Sequence, residues 1–147
     1  MNKPINDSYD HDFYAWAMEN AALLRAERLS EIDIEHIAEE IETLGRSIKR
    51  SLSRRLEVLL SHLLKWEYQD AYRNPSWRYT IKKQRRAIAD LLEENPSLKH
   101  GIEEILTKAY EHAREAAADE TELKISTFTE ACPFSLEQVL DKDFWPE

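Results

Sequence analysis

From residue 33 to residue 69 the chain places Ile34, Ile37, Ile41, Leu44, Ile48, Leu52, Leu56, Leu59, Leu63 and Trp66 at steps of three or four residues. That spacing lines one side of a helix, and no alternating strand pattern reproduces it. The run 33–69 therefore predicts one long amphipathic helix whose apolar seam recruits the other segments. A helix of that length spans roughly 55 Å, against a diameter of about 40 Å for a compact monomer of this size. Gly45 is the natural site of a kink or break, since Gly inside a helix costs about 1 kcal/mol relative to Ala. A continuous but bent helix is the preferred reading, with an elongated bundle or a dimer built on the excess length as the other outcome.

The same periodicity predicts further helices around it. Residues 9–28, capped by Ser8 or Asp10, carry a stripe of Phe13, Trp16, Ala17, Ala21 and Leu24, with Asn20 beside it and in need of a hydrogen-bond partner if buried. Asp33 is a good N-cap for the central run. Asn74 and Pro75 open a helix over 75–94 that shows Trp77, Ile81, Gln84, Ile88 and Leu91 on one face. Pairing counted outward from the turn sets Trp77 near Asp70, Ile81 near Trp66, and Gln84 and Arg85 near His62. Asn95 and Pro96 repeat the signal before a helix over 97–120 with Leu98, Ile102, Ile105, Ala109, Ala113 and Ala116. Residues 124–133 are extended in character and read as a strap packing Ile125 and Phe128 onto the bundle. A short helix over 135–141 has a capping box from Ser135 to Gln138, and Phe144, Trp145 and Pro146 read as a docked tail. The predicted fold is all-α, an up-and-down bundle of four main helices around the long second one, forming a single domain over 1–147.

Composition narrows the class. A chain of 147 residues that is 42% hydrophobic, with four Trp, can build a core, and only two Gly argue against an all-β fold. No apolar leader follows the N-terminus and no uninterrupted apolar run approaches a membrane span, so a cytoplasmic location without membrane partners is expected. Cys132 is the sole cysteine, which excludes an intrachain disulfide and a Cys-based zinc site, and it reads as filler of a small apolar hole. The net charge of −9 conceals a split: residues 46–86 hold 12 Lys and Arg against 3 Asp and Glu, leaving the rest of the chain with 8 against 26. Such a chain pairs its own opposed faces or offers the basic one to an anionic partner.

A distinctive order of motifs runs through DFYAWA (12–17), EEIETLGRS (39–47), RLEVLLSHLLKWEYQ (55–69), the pairs Ser76-Trp77, Thr80-Ile81 and Gln84-Arg85, PSL (96–98), Glu120-Thr121, Cys132-Pro133, and the terminal Asp143-Phe144 and Pro146. In these the chain resembles a bacterial family known as domain of unknown function number twenty-nine. It covers nearly the whole chain. The resemblance implies an all-helical fold and brings no activity, cofactor or catalytic residue. Family-like sequences often carry Gln where Glu67 stands.

Three kinds of chemistry are weighed against blander readings. A helical-bundle metal site has weak candidates in His36, His62 and His112, but the Glu three residues before His that marks di-iron sites is missing from each. Interior hydrogen bonding is the blander account of His112. A polar pocket lined by His62, Lys65, Trp66, Gln69, Arg73, Trp77, Thr80 and Gln84 suits an anion or flat ligand, and equally a structural network with Arg stacked on Trp. Arg46, Lys49, Arg50, Arg54, Arg78, Lys82, Lys83, Arg85 and Arg86 form a candidate anion or nucleic-acid surface, against which stand the acidic pI of about 5.1 and the absence of a nucleic-acid-binding motif. No nucleophile elbow, phosphate loop or cofactor motif occurs. The leading reading is a non-enzymatic protein-interaction or self-association module. Nucleic-acid association and a metal-binding enzyme are the alternatives.

Overall fold

The apolar period and the scarcity of Gly and Pro within it let a single helix run from Ile34 to Tyr68. In the computed structural model, which describes residues 5–147, this is α3, preceded by α1 (Ile5–His11) and α2 (Phe13–Arg25) and followed by α4 (Pro75–Glu94), α5 (Ile102–Thr121) and α6 (Leu136–Leu140). Among the described residues there is no strand, and the fold is an all-α bundle. The start of the N-terminal segment scanned for a leader, residues 1–4, lies outside the described residues. Helix α3 passes through Gly45 without interruption. The chain divides into two compact units, Met1–Ser47 and Ile48–Glu147.

In the first unit, the single helix expected over 9–28 is two. Asp12 interrupts it because its carboxylate accepts from the Ala15 amide (3.0 Å), which makes it the N-cap of α2 in place of Ser8 or Asp10. Helix α2 ends in a Schellman arrangement, the Arg28 amide donating to the Leu23 carbonyl and the Glu27 amide to that of Leu24. This puts Glu27 at a φ of 58°, a conformation that usually selects Gly. Asn20 is buried and fully used: its amide donates to the Trp16 carbonyl and its oxygen accepts from the Asp33 amide, both at 2.9 Å. Asp33 caps α3, as the sequence predicts.

The second unit holds the core. Leu52, Leu56, Leu59 and Leu63 of α3 are fully buried together with Leu60 and Leu64, so the apolar face there is two columns wide. Against it lie Ile81, Ile88 and Leu92 of α4, and Ile102, Ile105, Leu106, Ala109, Tyr110, Ala113 and Ala117 of α5. Each fully buried Leu or Ile contributes on the order of 1.5–3 kcal/mol. Asn74 caps α4 by accepting from the Trp77 amide at 2.9 Å, with Pro75 in the first turn. The segment expected to be helical from residue 97 begins as a 3-10 turn over Pro96–Gly101, and α5 proper starts at Ile102.

The strap differs from its expectation at one anchor. A 3-10 turn spans Ile125–Thr127, Phe128 is buried, and Ile125 stays 43% exposed. The strap is tied through its backbone: Tyr110 donates its hydroxyl to the Thr129 carbonyl (2.6 Å), and Arg114 Nε donates to that of Phe128 (3.0 Å). The capping box of Ser135 and Gln138 is present on α6. The tail docks, with Trp145 4.8 Å from Trp66 and Phe144 6.0 Å from Phe134, centroid to centroid.

Candidate functional site

The seam of α3 has two fates. From Leu52 onward it is buried, whereas Ile34, Ile41 and Leu44 are 65%, 63% and 66% exposed, and Ile48 is also exposed. The expectation that one seam recruits every other segment thus holds only for its C-terminal half. Ile37, between them, is partly covered. Ile34, Ile41 and Leu44, in helical register and largely exposed, form an apolar stripe on the first unit. Charges border it asymmetrically. Glu35, Glu39 and Glu42 precede its midpoint and Arg46, Lys49 and Arg50 follow it, all exposed.

At the start of α3 stands a cluster that the sequence signalled only in part. His36 donates from Nδ1 to Asp33 (2.7 Å), Trp16 donates from Nε1 to the same Asp33 oxygen (2.9 Å), and the Tyr9 ring stacks on His36 at 3.9 Å. Burial alone pushes the Asp33 carboxyl up, but the hydrogen bonds from His36 and Trp16 together outweigh it and hold it below its ordinary value. The Asp33 hydrogen bond raises His36, against a smaller opposing effect of burial. Donation to Glu40 pushes the Tyr9 hydroxyl up to about 12. Asp33 was legible as a cap, and His36 was read only as a weak metal candidate. The aromatics became visible as its cover only once α1 and α2 were separate.

The predicted polar pocket resolves into several contacts. Arg73 lies 5.0 Å from the Trp66 ring centre, donates from Nε to the Trp66 carbonyl (2.8 Å) and reaches the Pro146 carbonyl (3.4 Å), so these two residues hold the tail. Lys65 is buried, paired with Glu120, and sits 5.3 Å over Trp77. His62 donates to the Val58 carbonyl of its own helix (2.8 Å), and burial lowers its pKa. Gln84 accepts from Arg55 (3.2 Å), away from His62, and Thr80 is partly buried on α4. The contacts that join α3 to α4 are Arg55 with Gln84, Lys65 with Trp77 and Trp66 with Arg78. Glu67 has a buried oxygen without a partner, and burial pushes its carboxyl up, a position where a neutral Gln would sit without that cost.

Of the basic residues, Arg46, Lys49, Arg50, Arg54, Arg78, Lys82, Lys83 and Arg86 are exposed, while Arg85 is buried. Arg78 leans over Trp66 at 5.5 Å. The three histidines each have a separate partner, the exposed His112 lying with its Nδ1 2.9 Å from a Glu57 carboxylate oxygen. Among the described residues no group of three or more His, Cys, Asp or Glu is arranged to hold a metal ion. Cys132 is half-buried against the core, donates to the Phe134 carbonyl, and is pushed up by burial, so it is a poor nucleophile. It borders a cavity of about 360 Å³ with Tyr110, Glu103, Glu111 and Glu130. No helix among the described residues is long and apolar enough to cross a membrane.

No curated protein and no solved structure matches the chain. A family model does, over residues 8–145 of the 147, which spans both units and every helix from α2 to α6. The chain belongs to the family described as Domain of unknown function DUF29.

Proposed function

We propose that this protein is a self-association module, two copies pairing antiparallel along the N-terminal half of α3. The observation that carries the reading is the exposed stripe of Ile34, Ile41, Leu44 and Ile48 on a continuous helix. Covering such side chains removes apolar area from water at about 25 cal/mol per Å². The bordering charges select the partner and its direction. Aligned antiparallel with Leu44 on the two-fold axis, Glu42 faces Arg46 and Glu39 faces Lys49 of the second copy, and the reciprocal pairs form by symmetry. Parallel alignment would set acidic against acidic and basic against basic, at a cost in repulsion. A self-complementary surface of this kind needs no other protein to explain its pattern.

Sedimentation equilibrium tests the reading. The expected result is a dimer across micromolar concentrations that becomes monomeric in Ile41→Glu with Leu44→Glu, since both substituted positions are exposed and leave the core intact. A wild-type chain that stays monomeric throughout that range overturns it, as does a double variant that associates as well as wild type.

A further inference from the structure

Helix α4 presents Lys82, Arg85 and Arg86 at spacings of three and four residues, hence on one side of the helix. They border a cavity of about 550 Å³ whose other wall is Leu140 at the end of α6, with Lys142 and Asp143 beyond it. That volume lies within the range of small-molecule sites. Four cations meet one carboxylate there. Among the described residues the ion pairs within 4.0 Å belong to Arg28, His36, Arg46, Lys65 and His112, so none of the four cavity cations has a carboxylate of the chain as partner.

Arg85 is the unusual member. It is only 5% exposed, donating from Nε to the Val139 carbonyl (2.8 Å) and from Nη2 to that of Gln138 (3.2 Å), with its guanidinium 5.7 Å from the Trp145 ring centre. Its Nη1 is covered and has no hydrogen-bond partner. A buried guanidinium held by neutral carbonyls and left with an unused donor is a fixed positive charge, offset only in part by the Asp141 carboxylate nearby. Its three companions, Lys82, Arg86 and Lys142, are exposed. Asp143 borders the cavity and Asp141 lies near Arg85, yet neither forms an ion pair within 4.0 Å of the four cations among the described residues.

We propose that the cavity between α4 and the segment following α6 binds a small phosphate-bearing molecule, with Lys82, Arg86 and Lys142 contacting the phosphate and Arg85 supplying the fixed charge of the wall. The side chains bordering the cavity sum to +3. A phosphate monoester brings about −1.5 to −2 near neutral pH with three acceptor oxygens, and so matches the donors and charge better than a singly charged carboxylate. The guanidinium of Arg86 offers the forked donors that complement phosphate oxygens, and the two lysines act as point charges beside it.

Inorganic phosphate, glycerol 3-phosphate and acetate, titrated separately at constant ionic strength into the full chain, separate the possibilities by nuclear magnetic resonance. Expected are saturable shifts of the Trp145 indole N–H and the Leu140–Asp143 amides with the phosphate ligands, weakened at least tenfold in Lys82→Gln/Arg86→Gln/Lys142→Gln. Tighter binding of glycerol 3-phosphate identifies a monoester as the source, and equal binding identifies free phosphate. Arg85→Lys, which keeps the charge but loses the fork, should retain a weakened response. Shifts that do not saturate, that acetate reproduces at the same concentration, or that survive the triple substitution overturn the proposal. Because all three substituted side chains are exposed, the variant fold can be verified by its unchanged amide spectrum elsewhere.

Discussion

The two halves of α3 obey the same period and meet opposite ends. Leu52, Leu56, Leu59 and Leu63 vanish into the core, while Ile34, Ile41 and Leu44 stay largely exposed. The difference is visible in the width of the apolar face. Beyond Leu52 the stripe doubles, with Leu60 and Leu64 beside Leu59 and Leu63, because α4 and α5 supply apolar faces on that part of the helix. Before Leu52 it is a single column bordered by Glu35, Glu39, Glu42, Arg46 and Lys49. A narrow seam of this type is what a pair of helices buries, whereas a wide one belongs to a globular interior. Periodicity identifies a face; width indicates what kind of neighbour covers it.

The sharpest test of this contrast is a matched pair of truncations. Leu59→Ala should cost about 2–5 kcal/mol in urea unfolding, whereas Leu44→Ala, measured at concentrations too dilute for association, should change stability by no more than about 0.5 kcal/mol. Equal losses would show that the N-terminal column is packed after all.

A smaller effect concerns Gly45. A Cβ added there meets nothing within 4 Å, and the helix runs through it, so Gly45→Ala should stabilise by about 1 kcal/mol with no change in the apolar core. A decrease, seen by thermal unfolding, would reveal a close approach at that position.

The mildest difference is one of sign. His36 is raised by its bond to Asp33, so its contribution to stability is present below about pH 6.5 and is lost as pH rises through its higher folded value. His62 is lowered by burial, so the folded state binds its proton less readily and stability falls as pH drops below about 6.5. Imidazole resonances followed against pH should titrate above the ordinary histidine value for His36 and below it for His62. Coincident midpoints would refute the opposed environments.

Much of the architecture could be read from the residues one at a time. Asp33, Asn74 and Ser135 cap helices because a side-chain oxygen next to a helical run satisfies free amides whatever the surroundings. The docked tail was legible in Phe144 and Trp145, whose apolar area demands cover. The break at Asp12 was not, since Ser8 and Asp10 offer equally good caps just before the same stripe. At the cavity between α4 and the segment following α6, Lys82, Arg85 and Arg86 were singled out as charge. Their meeting with Lys142 depends on where α6 ends, and nothing local fixes that.

What the amino-acid order settled unaided is therefore the helical state, the capped ends and which face of each helix is apolar, because these follow from rotamers, amide satisfaction and a period of 3.6. What required the assembled molecule is which part of a seam finds cover, and why Arg85 is buried while its neighbours are not. Burial is decided by elements distant in sequence arriving at the same place, and a one-dimensional pattern has no record of that encounter.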